Sequence, residues 1–530
     1  MFKSKRFIFP ALGVLLLGIV LFTQVDEKLI AATGNVYEQM KRFMEAFNAV
    51  KQYYVEDPDA EKLVTGAING MLEQLDPHSV YIPPSELGKV TEQFDGYFFG
   101  IGIEFIIQNK ILTVVSPIVG GPSEKLGMRP GDQIIEIEGK SAYGITEEEV
   151  QKKLRGPKDT QVTVTIRRPG MEEPLKLTIT RDKIPINSVM AAFMVDDSTG
   201  YIYLGRFAKT TADELEKALG KLEAQGMKRL LLDLRLNLGG LLDQAVAVSN
   251  KFIDGGKKIV YTRGRIPNSN EDFYASDKAT HPNYPLIVLI DHGSASASEI
   301  VAGAVQDWDR GLVVGETSFG KGLVQTQVPL KDGSAIRVTI AHYYTPSGRL
   351  IQRPFNEGLA EYYAEAYDET DPNAIPDSTA AKSVFLTSAG RKVYGNGGIT
   401  PDVKIKSDRV TKFTSQLLFK RLFFEYGSDY AAKHKQMAAN FEWFRTNFTV
   451  NEAMLSEFRK LFEAKWIEFK PSEYNQDLLY IKVLIKSEIA RSLWDSEKYY
   501  QTRLAGDTQL QEALRLFPQA ARLAALNVGG

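Results

Sequence analysis

The chain has 530 residues, 64 Lys and Arg against 66 Asp and Glu, 44% hydrophobic residues, five histidines and no cysteine. At roughly 150 residues per domain this predicts about three or four domains, and the composition excludes a disordered, collagen-like or multi-span membrane chain. Near-zero net charge disfavours nucleic-acid binding, and the lack of cysteine removes disulfides, thiolate nucleophiles and cysteine-ligated metals.

In chain order, Lys3, Lys5 and Arg6 precede an apolar run from Phe7 to Thr23 that ends before Asp26 and Glu27. Positive charge ahead of an apolar stretch is the export pattern. Residues 1–30 are therefore expected to be a signal anchor or transmembrane segment, with an uncleaved anchor favoured over a cleaved signal and the body extracytoplasmic. Residues 31–90 read as helical: Met40, Phe43, Phe47, Val50 and Tyr54 recur at helical spacing, LVTGAINGMLEQL makes another helix, and Pro77, Pro83 and Pro84 end the pattern. Residues 91–183 alternate short β-rich runs (GIGIEFII, ILTVVSPI, DQIIEIEG, VTVTIRR, LKLTITR) with turns, around one helix in ITEEEVQKKLRG. Residues 184–405 alternate strands with helices, which predicts α/β layering on a largely parallel sheet with its chemistry at strand carboxyl ends. Residues 353–397 interrupt them as an aperiodic insertion. Residues 406–530 are aromatic and helical.

Three segments could carry chemistry. In DHGSASASEIVAGAVQDW a strand turns at Gly293 into a helix, with Ser294, Ser296 and Ser298 at its start. Amides there point outward with positive partial charge, which suits an attacking hydroxyl and an oxyanion, while helix capping explains the serines equally simply. In LVVGETSFGKGLVQ, Gly315 to Lys321 matches a phosphate-binding loop, but Gly322 replaces the required Ser or Thr and the sequence continues as strand. Lys321 could instead be a general base, if burial beside Phe319 and Leu323 lowers its pKa from about 10.4 towards 7. Gln325, four residues on, could orient the amine. In LLLDLRLNLGGLLDQA the pair Gly239 and Gly240 either exposes amides to a reacting carbonyl or simply makes a turn. A Ser–His–Asp arrangement through His292 lacks the nucleophile-elbow pattern and the acid-then-histidine order, and no HEXXH or close histidine pair exists, so no metal or other cofactor is expected.

Together these segments resemble the carboxy-terminal processing peptidases, or tail-specific proteases. The resemblance spans about residues 36–405: LDPHS (Leu75 to Ser79), FGIGIEF with LGMRPGDQIIEIEG, DLRLNLGG, GSASASEI, GETSFGKGLVQ, YYTPSGRLIQ and GGITPD. It implies a multidomain α+β chain in which a PDZ-like β domain precedes an α/β core of the ClpP/crotonase type, flanked by helical regions. It further implies Ser296 as nucleophile, Lys321 as general base, Gln325 as its assistant and Asp307 as an occasional member of the catalytic set, a structural or helix-surface role for Asp307 being the alternative. The oxyanion hole would use the amides of Ala297 and of Gly239 or Gly240. The PDZ-like domain would bind a substrate's free carboxylate near Ile101, Gly102 and Ile103, and could gate access to the dyad. The implied partners are proteins or peptides with a free carboxyl terminus, and the membrane through the anchor. The carboxy-terminal region matches none of these motifs, leaving self-association or adaptor docking as its roles. Leu236 and Leu238 depart from the family's usual polar residue and proline. A catalytically inactive PDZ scaffold is the rival reading, against which the joint presence of Ser296, Lys321 and Gln325 speaks.

Overall fold

The computed structural model describes residues 35–118, 120–168, 170–355, 362 and 383–526. The expected anchor, residues 1–30, lies outside these. Among the described residues no helix is long and apolar enough to cross a membrane. The chain divides into two compact units between Asp76 and Pro77.

In the first unit a helix runs over residues 35–53 and a second over Ala60–Glu73. The second begins where the Asp59 carboxylate accepts the Glu61 and Lys62 amides, satisfying donors that the helix cannot. The helical repeat of Met40, Phe43 and Val50 gives the expected helix, which stops just before Tyr54, yet all four side chains remain exposed.

The second unit holds a six-stranded antiparallel sheet in the order Ile103–Gln108, Ile111–Pro117, Gln133–Ile137, Gln161–Arg167, Leu175–Thr180, with Lys140–Ser141 also pairing Gln133–Ile137. Alternation drives it: Val162, Val164 and Ile166 are buried while their neighbours are not. The helix Glu147–Leu154, started by a Thr146–Glu149 capping box, lays Val150 and Leu154 on the same core. Ile103–Gln108 ends the sheet.

The α/β region has a six-stranded sheet in the order Val189–Met194, Thr199–Leu204, Arg229–Asp233, Leu286–Ile290, Leu312–Gly315, Val403–Lys404. Only its first pair is antiparallel. The continuous apolar runs reflect burial on both faces. Leu230 and Leu232 face one core with the helices Thr211–Ala224, Leu242–Ser249 and Ala297–Asp307. Leu231, Ile287 and Leu289 face another, filled by Leu510, Ala513, Phe517 and Ala520 from helices near the carboxyl end. The carboxy-terminal region, a helical region of its own in the sequence reading, thus supplies the second layer of this sheet, while Phe413, Phe423, Phe458, Phe462 and Ile481 form a core of their own. A second, antiparallel sheet pairs Ala335–Tyr344 with Leu323–Pro329, Lys258–Arg263 and Val80–Ile82. That last pairing brings the chain just after Pro77, with His78 and Ser79, to the strand Ala335–Tyr344.

Candidate active site

The strand Leu286–Ile290 ends at a tight turn, and the three serines after it part company. Ser294 and Ser298 are fully buried and their hydroxyls donate to the carbonyls of Leu234 and Asn237, each at 2.8 Å. Ser296, half-buried, sits between them at φ 55°, ψ −112°, immediately before the helix Ala297–Asp307. For a residue with a Cβ this backbone costs on the order of 1–3 kcal/mol, so the surroundings must hold it. They do so through Glu299, whose carboxylate accepts the Ser296 amide at 2.8 Å, and through Tyr343, whose hydroxyl donates to the Ser296 carbonyl at 3.0 Å. Ala297 opens the helix, so its amide has no acceptor within the helix and carries the positive end of the helix dipole.

Glu299 also organises the lysine loop. The oxygen that accepts the Ser296 amide accepts the Lys321 amide at 2.9 Å, and the other accepts the Gly320 amide at 2.7 Å and the Ser318 hydroxyl at 2.6 Å. A second tie runs from the Phe319 amide to the Ser294 carbonyl at 3.0 Å. The Ser296 turn and the lysine loop are therefore fastened to one buried carboxylate. Burial pushes that carboxyl above its ordinary range, against the hydrogen bonds from Ser318, Lys321, Gly320 and Ser296 that favour its ionised form. Lys321 follows buried Phe319 and precedes buried Leu323. Its Nζ donates to Gln325 Oε1 at 2.9 Å, and Gln325 Nε2 donates to the His78 carbonyl at 2.6 Å, which fixes the amide's orientation so that its oxygen faces the lysine.

The glycine turn lies against the same serine. A Cβ on Gly239 would stand 2.9 Å from Ser296 Cβ and 2.8 Å from the Ala297 nitrogen, and one on Gly240 would strike the Phe207 carbonyl at 2.0 Å. Both glycines have positive φ, so the close approach demands residues without a side chain. The Gly239 amide donates to Asn237 Oδ1 at 2.9 Å, so in this structure it is not simply presented to a substrate. The strand Arg229–Asp233 stops there, because Arg235 folds back to bond Asp233 and Asp507 and Leu236 turns to φ 55°.

Asp307 stands at the other end of the helix Ala297–Asp307, about 15 Å of helix rise from Ala297. It is 2% exposed, accepts Arg349 Nη2 at 2.6 Å and the Ser347 amide at 3.0 Å, and so is a buried structural ion pair, not a helix-surface residue. His292 Nδ1 lies 3.6 Å from Glu316. In the β region, Ile101, Gly102 and Ile103 line a cavity of about 390 Å³ together with Phe105, Leu154 and Arg206, beside the sheet-ending strand Ile103–Gln108. Glu299, Asn237, Tyr343 and the His78 carbonyl were not singled out from sequence. Glu299 left a physical signal, the Ser-x-x-Glu spacing of a capping box from Ser296, while His78, Asn237 and Tyr343 lie within the motifs LDPHS, DLRLNLGG and YYTPSGRLIQ without a role assigned to them.

Residues 198–360 match the family model for peptidase family S41, residues 113–168 that for the PDZ domain, residues 22–84 that for the activating protease CtpB N-terminal domain, and residues 413–495 a family of unknown function, DUF8443. The carboxy-terminal-processing protease of Bartonella bacilliformis is 44% identical over 322 residues, 60% of this chain and 74% of that protein. The carboxy-terminal processing protease CtpA of Bacillus subtilis is 38% identical over 324 residues, 61% of this chain and 68% of that protein. With this identity over most of a relative's length, and S41 and PDZ matches in the order of the two β-containing regions, the chain belongs to the carboxy-terminal processing proteases, serine-type peptidases with a PDZ domain.

Proposed function

We propose that the chain cleaves proteins near their carboxyl termini with Ser296 as nucleophile and Lys321 as general base. The observation that carries this reading is the single carboxylate of Glu299, which fastens the Ser296 and Lys321 amides to one oxygen and leaves the Ser296 hydroxyl at a helix start. Neutral Lys321 takes the hydroxyl proton as Ser296 Oγ attacks the scissile carbonyl carbon. The Ala297 amide, having no helical acceptor, stabilises the resulting oxyanion, joined by Gly239 or Gly240; Gly239 would share its proton with Asn237. Collapse of the intermediate breaks the C–N bond, protonated Lys321 gives its proton to the departing amine, and water then hydrolyses the acyl-enzyme. Gln325, oriented by His78, fixes the ammonium between these steps. Asp307 takes no part in them.

The tail groove at Ile101, Gly102 and Ile103 would take the substrate's carboxylate on backbone amides while the open strand edge Ile103–Gln108 pairs with the preceding residues. We read the enzyme as extracytoplasmic and held to the membrane by residues 1–30. Replacing Ser296 by Ala tests the assignment. Cleavage of an unfolded tail-bearing protein should fall by about 10⁴-fold or more while tail binding persists; unchanged hydrolysis would sink the dyad, and persistent binding without any cleavage by the wild type would favour the inactive scaffold. Wild-type kcat/KM should also decline about tenfold per unit as pH falls below the Lys321 pKa. A profile flat down to pH 5 would contradict a lysine base.

A further inference from the structure

Two leucines bracket the buried Asn237 in the glycine turn with their side chains in solvent, Leu236 64% and Leu238 69% exposed. A single exposed leucine is unremarkable. This pair differs in conformation and in place. Leu236 has φ 55°, a left-handed backbone that a leucine adopts at a conformational cost and an asparagine tolerates far more easily. The backbone is fixed there whichever side chain it bears, since the Leu236 amide donates to Asp291 Oδ1 at 2.9 Å and Asn237 Nδ2 to the Leu204 carbonyl at 2.6 Å. An apolar side chain is thus held outward at a position whose geometry suits a polar one. The place is the rim of the nucleophile. Leu236 Cα and Cδ2 would each lie 3.0 Å from a Cβ on Gly293, three residues before Ser296, and Leu238 directly precedes Gly239, the glycine pressed against Ser296.

We infer that Leu236 and Leu238 form an apolar wall for the substrate side chains that flank the scissile bond, so that the enzyme selects apolar residues at the cut. The inference rests on Ser296 being the nucleophile. A peptide carbonyl placed for attack by Ser296 and for hydrogen bonding by Ala297 must lie over the glycine turn, because Gly239 is in contact with both residues. The side chains on either side of that carbonyl then cover the two leucines and remove their surface from water.

Cleavage-site profiling of the full chain on an unfolded protein, with product ends read by mass spectrometry, tests this. The wild type should show enrichment of Leu, Val, Ile, Phe or Ala beside the cut. In the double variant Leu236→Asn, Leu238→Gln that enrichment should fall by about tenfold, whereas Leu236→Met with Leu238→Met should keep it. No enrichment in the wild type, or the same enrichment in the Asn/Gln variant, overturns the wall. So does a change of oligomeric state in that variant with site preference intact, which would make the leucines a contact between copies. If the double variant cuts nothing, the comparison moves to the Ser296→Ala background. There a peptide with apolar residues around the site should bind more tightly than its serine-substituted twin, and lose that advantage on the Asn/Gln change; an advantage that survives the change overturns the wall. Cutting that survives Ser296→Ala would instead remove the reading on which the inference stands.

Discussion

One helix, Ala297–Asp307, carries a buried carboxylate near each end, and the two are satisfied in opposite ways. At the carboxyl end Asp307 meets a cation, Arg349, which is itself 0% exposed, and the pair closes on the Ser347 amide. At the amino end Glu299 meets neutral donors: three backbone amides and the Ser318 hydroxyl. The arrangement at the Asp307 end locks structure and has no proton to spare. That at the Glu299 end shapes two loops through their backbones, while the Nζ of Lys321 is turned to an uncharged amide oxygen, Gln325 Oε1. A carboxylate in the place of that amide would stabilise the ammonium and oppose the neutral form a general base needs. The difference teaches that position on one helix does not set the role of an acidic residue; what it binds does.

This contrast can be broken by substitution. Glu299→Gln turns an acceptor of four hydrogen bonds into a group whose amide must face donors, so both loops loosen; kcat should fall about 10²-fold with KM changing much less, since only transition-state alignment suffers. Equal losses in kcat and in tail affinity would mean that Glu299 merely supports the fold. Asp307→Asn, by contrast, leaves the Arg349 charge buried and should cost about 3–5 kcal/mol of stability, read as a lowered Tm. If it instead left Tm unchanged and lowered kcat as far as Glu299→Gln does, the two ends would have to exchange roles. The smallest effect is a linkage. Burial raises the Glu299 carboxyl in the folded protein above its ordinary 4.5, so the folded state holds that proton more tightly than the unfolded one. The contribution to stability is full below about 4.5 and is lost as pH rises through the folded value. Melting curves of wild type and Glu299→Gln should therefore diverge over that window, the wild type losing stability relative to the variant as pH rises; parallel curves would show that the hydrogen bonds cancel the burial.

Much of this could be read along the chain. Period-2 alternation in VTVTIRR and the uninterrupted apolar runs RLLLD and LIVLI specify a half-exposed strand and doubly buried ones, because side-chain direction follows backbone period. The helix Glu147–Leu154 begins where its capping box is written, at Thr146 and Glu149. Lys321 and Gln325 were legible as a lysine in a glycine loop and an amide at local spacing from it, whereas Ser296 was one of three serines at a helix start, singled out only by the family resemblance.

What escaped was non-local. His78 reaches Gln325 from 247 positions away because Val80–Ile82 pairs with Ala335–Tyr344, a register that local patterning does not encode. The carboxy-terminal helices looked like an independent tail, since their apolar positions announce only that they must bury a face; that the face is the catalytic sheet depends on Leu510, Phe517 and Ala520 meeting Leu231, Ile287 and Leu289. The sequence by itself determined the order of the elements, the chemistry available at their ends and the absence of any thiol alternative. Only the tertiary structure decided that Glu299 would bind two loops at once, that Asp307 would be neutralised by Arg349 and that Asn237 would claim the Gly239 amide. Each of those outcomes turns on which buried groups meet, and a buried polar group left without its partner costs too much to be left to chance.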